Sequence, residues 1–173
     1  MMKNPVSKRW TAALAAVVAV PVAAVAEEAP AQPGGKVEGV PAVALVKVAD
    51  GLVDPVDVAA PNDGSGRLFV CERHGMIRVV KDGKLLDKPA LDIRDKTLSS
   101  FLEEGLFGVE FHPKFKENGL VYVSYSDLWF NGATMLVEYK VSKKNPDRLD
   151  PESARVIMQI DFPYCNHHGG KMK

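Results

Sequence analysis

From about position 43 onward, apolar and polar positions follow each other in short alternating runs separated by turn residues. Residues 68–72, 76–81, 120–126, 134–141 and 155–160 each carry the β-branched, aromatic and alternating pattern of a half-buried strand. Residues 55–59 lead into Pro61-Asn62-Asp63-Gly64-Ser65-Gly66, a dense cluster of turn formers. Asp82-Gly83 suits the positive φ angles of a type I′ hairpin, and Leu85, Leu86, Leu91 and Ile93 continue the pattern beyond it. Asn118-Gly119 marks another turn. Asn145-Pro146-Asp147 and Asp150-Pro151 together predict the turn before the last strand. No long stretch keeps a 3.6-residue period; residues 97–104 allow a helical turn or two at most. Short strands with turn signals every 8–12 residues or so indicate an all-β sandwich, barrel or propeller. Periodicity alone does not choose among them. Two similar β runs, opening at Leu68 and Leu120, lie 52 positions apart, near the roughly 40–50 residues of a propeller blade.

The first part of the chain does not belong to this pattern. Lys3, Lys8 and Arg9 precede a small, apolar run over 11–25, and Ala24-Val25-Ala26 provides a small-x-small cleavage pattern. Residues 1–26 thus read as a secretory signal peptide; the run is shorter than the roughly 20 residues of a bilayer span. Residues 27–41, rich in Ala, Pro, Gly and Glu, predict a flexible leader. The protein is therefore expected in the periplasm or secreted.

Export changes the charge balance. The whole chain carries 22 basic and 22 acidic residues, and loss of three cations with the signal leaves 19 against 22. A mildly acidic domain with no basic run offers nothing to nucleic acid. No second apolar run of spanning length follows, so no membrane span is expected after signal cleavage. An exported pair of cysteines, Cys71 and Cys165, permits a disulfide. We favour two free or differently paired thiols, because Cys71 sits in an apolar strand pattern. Neither shows the spacing of a structural metal site.

The densest chemistry lies in Asn166-His167-His168-Gly169-Gly170-Lys171. Glycines allow close backbone approach, and a neutral imidazole is the usual general base near neutral pH. Alone, the motif is also that of a surface loop. It stands in order with four others: Gly51-Leu52-Val53-Asp54-Pro55 with the following turn and strand; His74-Gly75-Met76-Ile77-Arg78; Glu104-Gly105-Leu106-Phe107-Gly108-Val109-Glu110-Phe111-His112-Pro113; and Asn118-Gly119 with its aromatic strand. In this combination and order, the chain resembles the glucose/sorbosone dehydrogenase family, soluble aldose dehydrogenases that use pyrroloquinoline quinone and fold as six-bladed β-propellers.

The resemblance implies that residues 42–173 are the first blades of such a propeller, an incomplete N-terminal portion. It implies an oxidoreductase that oxidises the anomeric hydroxyl of an aldose sugar by hydride transfer to pyrroloquinoline quinone, with a periplasmic electron acceptor. His167 matches the catalytic base. Asn166 matches a position that carries a carboxylate in the best-known members, and Glu103 a polar position near cofactor and substrate. His168 is expected at the rim or in a structural role, and His112 in a structural one. Gly105 and Gly108 are expected to serve a backbone bend. Tyr122, Tyr125, Trp129 and Phe130 are expected to pack in core and loops. Calcium, a family cofactor, has no ligands among these residues, and they are expected beyond Lys173, as are the cations that hold the quinone. The 173-residue chain alone is thus expected to be inactive. The alternative is a non-catalytic extracellular propeller that binds a protein or glycan; a self-contained small β domain is a third reading.

Overall fold

The alternating runs resolve into two antiparallel meanders. A computed structural model describes residues 44–161 and 164–173; the expected signal peptide and leader lie outside them. Within the unit Leu45–Lys173, the first sheet contains β1 (Pro55–Ala59), β2 (Leu68–Glu72), β3 (Met76–Lys81), β4 (Lys84–Leu85) and β5 (Leu91–Asp92). The strands pair in the order β1-β2-β3, and β4 and β5 share the outer edge of β3. The second sheet is β6 (Leu106–Phe111), β7 (Leu120–Ser126), β8 (Thr134–Val141) and β9 (Leu149–Ile160), paired in chain order. Both are blades of a β-propeller, with β1 and β6 as the first strand of each. The two runs noted 52 positions apart are β2 and β7, the second strand of each blade.

Side-chain alternation explains how the blades meet. In β7, Val121, Val123 and Tyr125 point into the core while Tyr122 and Ser124 occupy the other face. The core joins Phe69, Ile77 and Val79 of the first blade to Phe111, Val121, Val123, Val137 and Tyr139 of the second. Phe111 is its hinge: its ring stands edge-on to Phe69 and to Phe115, both at 4.9 Å. The hairpin at Asp82-Gly83 has φ of 52° and 72°, the two positive values of a type I′ turn.

Two local features differ from the sequence pattern. Asp150 and Pro151, expected in a turn, lie inside β9, which begins at Leu149. The β8–β9 ladder shifts register between Glu138 and Lys140, and Ser153 Oγ there accepts the Lys140 N–H and donates to the Asp150 carbonyl. A proline fits such an irregular outer strand, where no ladder bond is asked of it. A single helical turn, α1 (Phe115–Asn118), also appears where none was expected, anchored by buried Phe115 and ended by Gly119 at φ 64°. Among the described residues, no helix is long and apolar enough to cross a membrane.

Candidate functional site

The site is assembled from three loops at one end of the two blades. The first, between β5 and β6, carries Glu103 and is pinned from both sides. Arg73 donates through Nε to Asp54 at 2.6 Å and through Nη1 to the carbonyls of Ser99, Phe101 and Glu104. Ser126 Oγ, fully buried at the end of β7, donates to the Leu98 carbonyl and accepts the Gly105 N–H, both at 2.7 Å. Gly105 does serve a bend, as expected: its φ is +144°, and a Cβ there would run into the carbonyl oxygen and Cγ of Arg73. Buried Glu104 closes the loop on itself by accepting the Phe101 N–H.

The second element is the segment 164–173. His167 adopts φ +65°, a left-handed conformation that costs a non-glycine residue roughly 1–2 kcal/mol. Its backbone N–H donates to Glu103 Oε2. The two residues that the sequence singled out are therefore brought together, but through the His167 backbone. The His167 imidazole is exposed and, among the described residues, its nitrogens have no partner. His168 differs. Its Nε2 lies 2.8 Å from the Tyr164 carbonyl and its ring stacks on Phe107 at 5.9 Å, the structural role expected for it. Asn166 is exposed and makes no hydrogen bond among the described residues.

The two glycines divide the work. A Cβ on Gly169 would meet nothing within 4 Å, so this position faces open space. A Cβ on Gly170 would press on Phe107 Cδ2 and Ser124 Oγ, both at 2.9 Å. The Gly170 carbonyl accepts from Ser124 Oγ at 2.5 Å, so glycine here lets backbone lie flat on the second blade.

Between these loops lies a recess of about 270 Å³ lined by Glu103, Phe107, His168, Gly169, Arg73 and Lys171, among others. Both cations are already neutralised, Arg73 by Asp54 and Lys171 by Asp57. The third loop, between β7 and β8, corrects one expectation. Tyr125 is core, but Trp129 and Phe130 are 76% and 56% exposed, because Asp127 accepts both their N–H groups and turns the chain outward. His112 has the structural role expected of it, accepting the Lys114 N–H at 2.9 Å. Cys71 is buried in β2, its thiol pushed up by desolvation and then by Asp57; Cys165 is exposed, and both are free. Among the described residues, no group of three or more His, Cys, Asp or Glu side chains could hold a metal ion.

Comparison with known proteins places this geometry. The family model described as Glucose / Sorbosone dehydrogenase matches residues 52–173. The Hedgehog-interacting protein of Mus musculus is 36% identical over 137 residues, 73% of this chain but 20% of that protein; its Homo sapiens counterpart is 36% identical over 139. Among solved structures, the aldose sugar dehydrogenase of Streptomyces coelicolor in its PQQ-bound form superposes with a TM-score of 0.54 at 21% identity, over 66% of this chain and 33% of that one. The apo soluble aldose sugar dehydrogenase of Escherichia coli gives 0.54 at 22% identity, over 66% and 32%. The chain spans about a fifth of the length of these curated relatives and about a third of the solved structures.

Proposed function

The chain belongs to the glucose/sorbosone dehydrogenase family, and from that premise we propose that it forms the first two blades of an exported quinoprotein that oxidises an aldose sugar at its anomeric carbon. The observation that carries this reading is the His167 imidazole, exposed and unpartnered, on backbone fixed by the Glu103 carboxylate. A neutral imidazole so placed takes the proton of the anomeric hydroxyl. Pyrroloquinoline quinone, when bound, supplies the hydride acceptor, and an exported electron carrier reoxidises it. On this reading Asn166, next to His167 in the chain, and Glu103, which accepts the His167 N–H, are the substrate- or cofactor-binding groups.

The described residues fit this cofactor on one wall only. The recess offers an apolar face at Phe107, but its two cations are spent on Asp54 and Asp57, and its lining supplies no third one for a tricarboxylate. The donor set among the described residues likewise does not fit calcium.

A second reading rests on the 36% identity to a protein named for interacting with Hedgehog, above the 21–22% to the sugar dehydrogenases: a propeller that binds a protein without turnover. Alanine at His167 and at Glu103 separates the two. On the first reading the host-purified protein loses aldose-dependent dye reduction with His167→Ala and is slowed about tenfold by Glu103→Ala. Full turnover by His167→Ala, or no turnover in the parent alongside partner binding that both variants retain, favours the second.

A further inference from the structure

The structure assigns a positioning role to a pair drawn from two different motifs: we propose that Asp57 and Lys171 together lock the His167 segment onto the innermost strands of both blades. The proposal rests on the reading of His167 as the base. Asp57 sits on β1, and its side chain is only 7% exposed. Oδ1 accepts from Lys171 Nζ at 2.5 Å, and Oδ2 lies 3.4 Å from the Val109 N–H on β6. One carboxylate thus touches the first strand of each blade and the segment four residues past His167.

Two further features exist for this carboxylate. The β1–β2 register shifts between Pro55 and Asp57, a bulge of the kind that re-aims a side chain. Gly108 on β6 does not have a positive φ and lies where the β6–β7 register shifts. A Cβ there would stand 3.0 Å from Asp57 Oδ2 and 3.4 Å from the Gly170 carbonyl oxygen. Glycine at 108 leaves the space in which Asp57 and the incoming segment meet.

The chemistry gives the lock its direction. A carboxylate this buried needs its counter-charge, and the described residues supply one ammonium to it, that of Lys171. Lys171 is itself 73% exposed along its side chain, so its contribution is the tether to Asp57 and not packing. Between Lys171 and His167 only three residues intervene, and Gly170 is held at Ser124. The imidazole is therefore positioned from both ends, by Glu103 at its own N–H and by Asp57 through Lys171.

The test uses the protein as its host makes it, with amide hydrogen exchange and steady-state kinetics on the same variants. Lys171→Met is expected to speed exchange over residues 166–171 about tenfold or more while β2, β3 and β7 stay protected. It should lower kcat on the order of tenfold, with KM within about twofold, as a small misplacement of a reacting group does. Lys171→Arg should restore both. Asp57→Asn/Lys171→Met removes the buried charge along with its partner, and should melt like the parent yet keep the fast exchange. Unchanged exchange over 166–171 in Lys171→Met overturns the proposal. So does a rise shared equally by all strands, or restored protection in the double variant. The exchange readout does not depend on the chemistry assigned to His167, which His167→Ala tests separately with the pair intact.

Discussion

Glu103 and His167, 64 residues apart, are joined by a hydrogen bond from the His167 N–H to the Glu103 carboxylate. This bond holds a histidine at φ +65°, where the chain by itself prefers not to be. The carboxylate therefore shapes the backbone beneath the imidazole. Glu103→Gln keeps an acceptor at the same reach and should retain most of the turnover. Glu103→Ala leaves the left-handed residue without its bond and should lower kcat by about tenfold. Steady-state kinetics on the two variants decides; equal losses would mean that the charge itself contacts the substrate.

The two histidines should separate cleanly. His167→Ala is expected to cost about 10²–10⁴ in kcat, the range of a lost general base, with an unchanged melting temperature because the exposed ring makes no hydrogen bond, ion pair or ring contact among the described residues. His168→Ala removes the stacking on Phe107 and should destabilise by about 0.5–1.5 kcal/mol, with kcat within about tenfold of the parent. Thermal unfolding beside kinetics checks both. The reverse pattern would transfer the role of base to His168.

Gly105→Ala tests the hinge under Glu103. The new methyl meets backbone and side chain of Arg73 at a φ of +144°, so strain and overlap together should cost about 2–4 kcal/mol. Gly64→Ala is the control: φ is +78° but the space is open, and about 1 kcal/mol is expected. Denaturant unfolding of the pair measures the difference.

The Arg67 cluster should set acid stability. Burial works against ionisation of Asp63, yet hydrogen bonds from Ser65 and the hydrogen bond and charge of Arg67 outweigh it and hold the carboxyl below its ordinary 3.8. Arg67 is 4% exposed and bridges Asp63 and Asp147. Because the folded value lies below the unfolded one, the stabilisation is complete above pH 3.8 and is lost as pH falls through the folded value. Arg67→Met should cost about 3 kcal/mol at neutral pH, a gap that narrows below pH 3.8. A gap independent of pH would contradict the assignment.

Local alternation carried the blades. Residues 120–126 and 134–141 are strands to the residue, since packing on one face requires period two. It failed at Asp150-Pro151, where an outer strand with shifted register tolerates residues that an inner strand excludes. Trp129 and Phe130 were misplaced for a related reason. Aromatic residues suit a core, and only the turn formed by Asp127 directs these outward. In the candidate site, the sequence pattern singled out Glu103 and His167 but not the bond between them, which depends on how the loop after β5 meets the segment after β9. The Asp57–Lys171 pair spans 114 positions and leaves no local trace. Its nearest signal was Gly108, expected to serve a backbone bend, whose missing Cβ also leaves the space in which Asp57 and the segment meet.

The most direct test is a single turnover: host-purified protein loaded with pyrroloquinoline quinone is mixed with an excess of aldose, and the absorbance of the bound quinone is followed. The parent should be reduced in one phase, and His167→Ala should be slower by at least about a hundredfold. Reduction at the parent rate in His167→Ala, or a parent that takes up no quinone, would contradict the account.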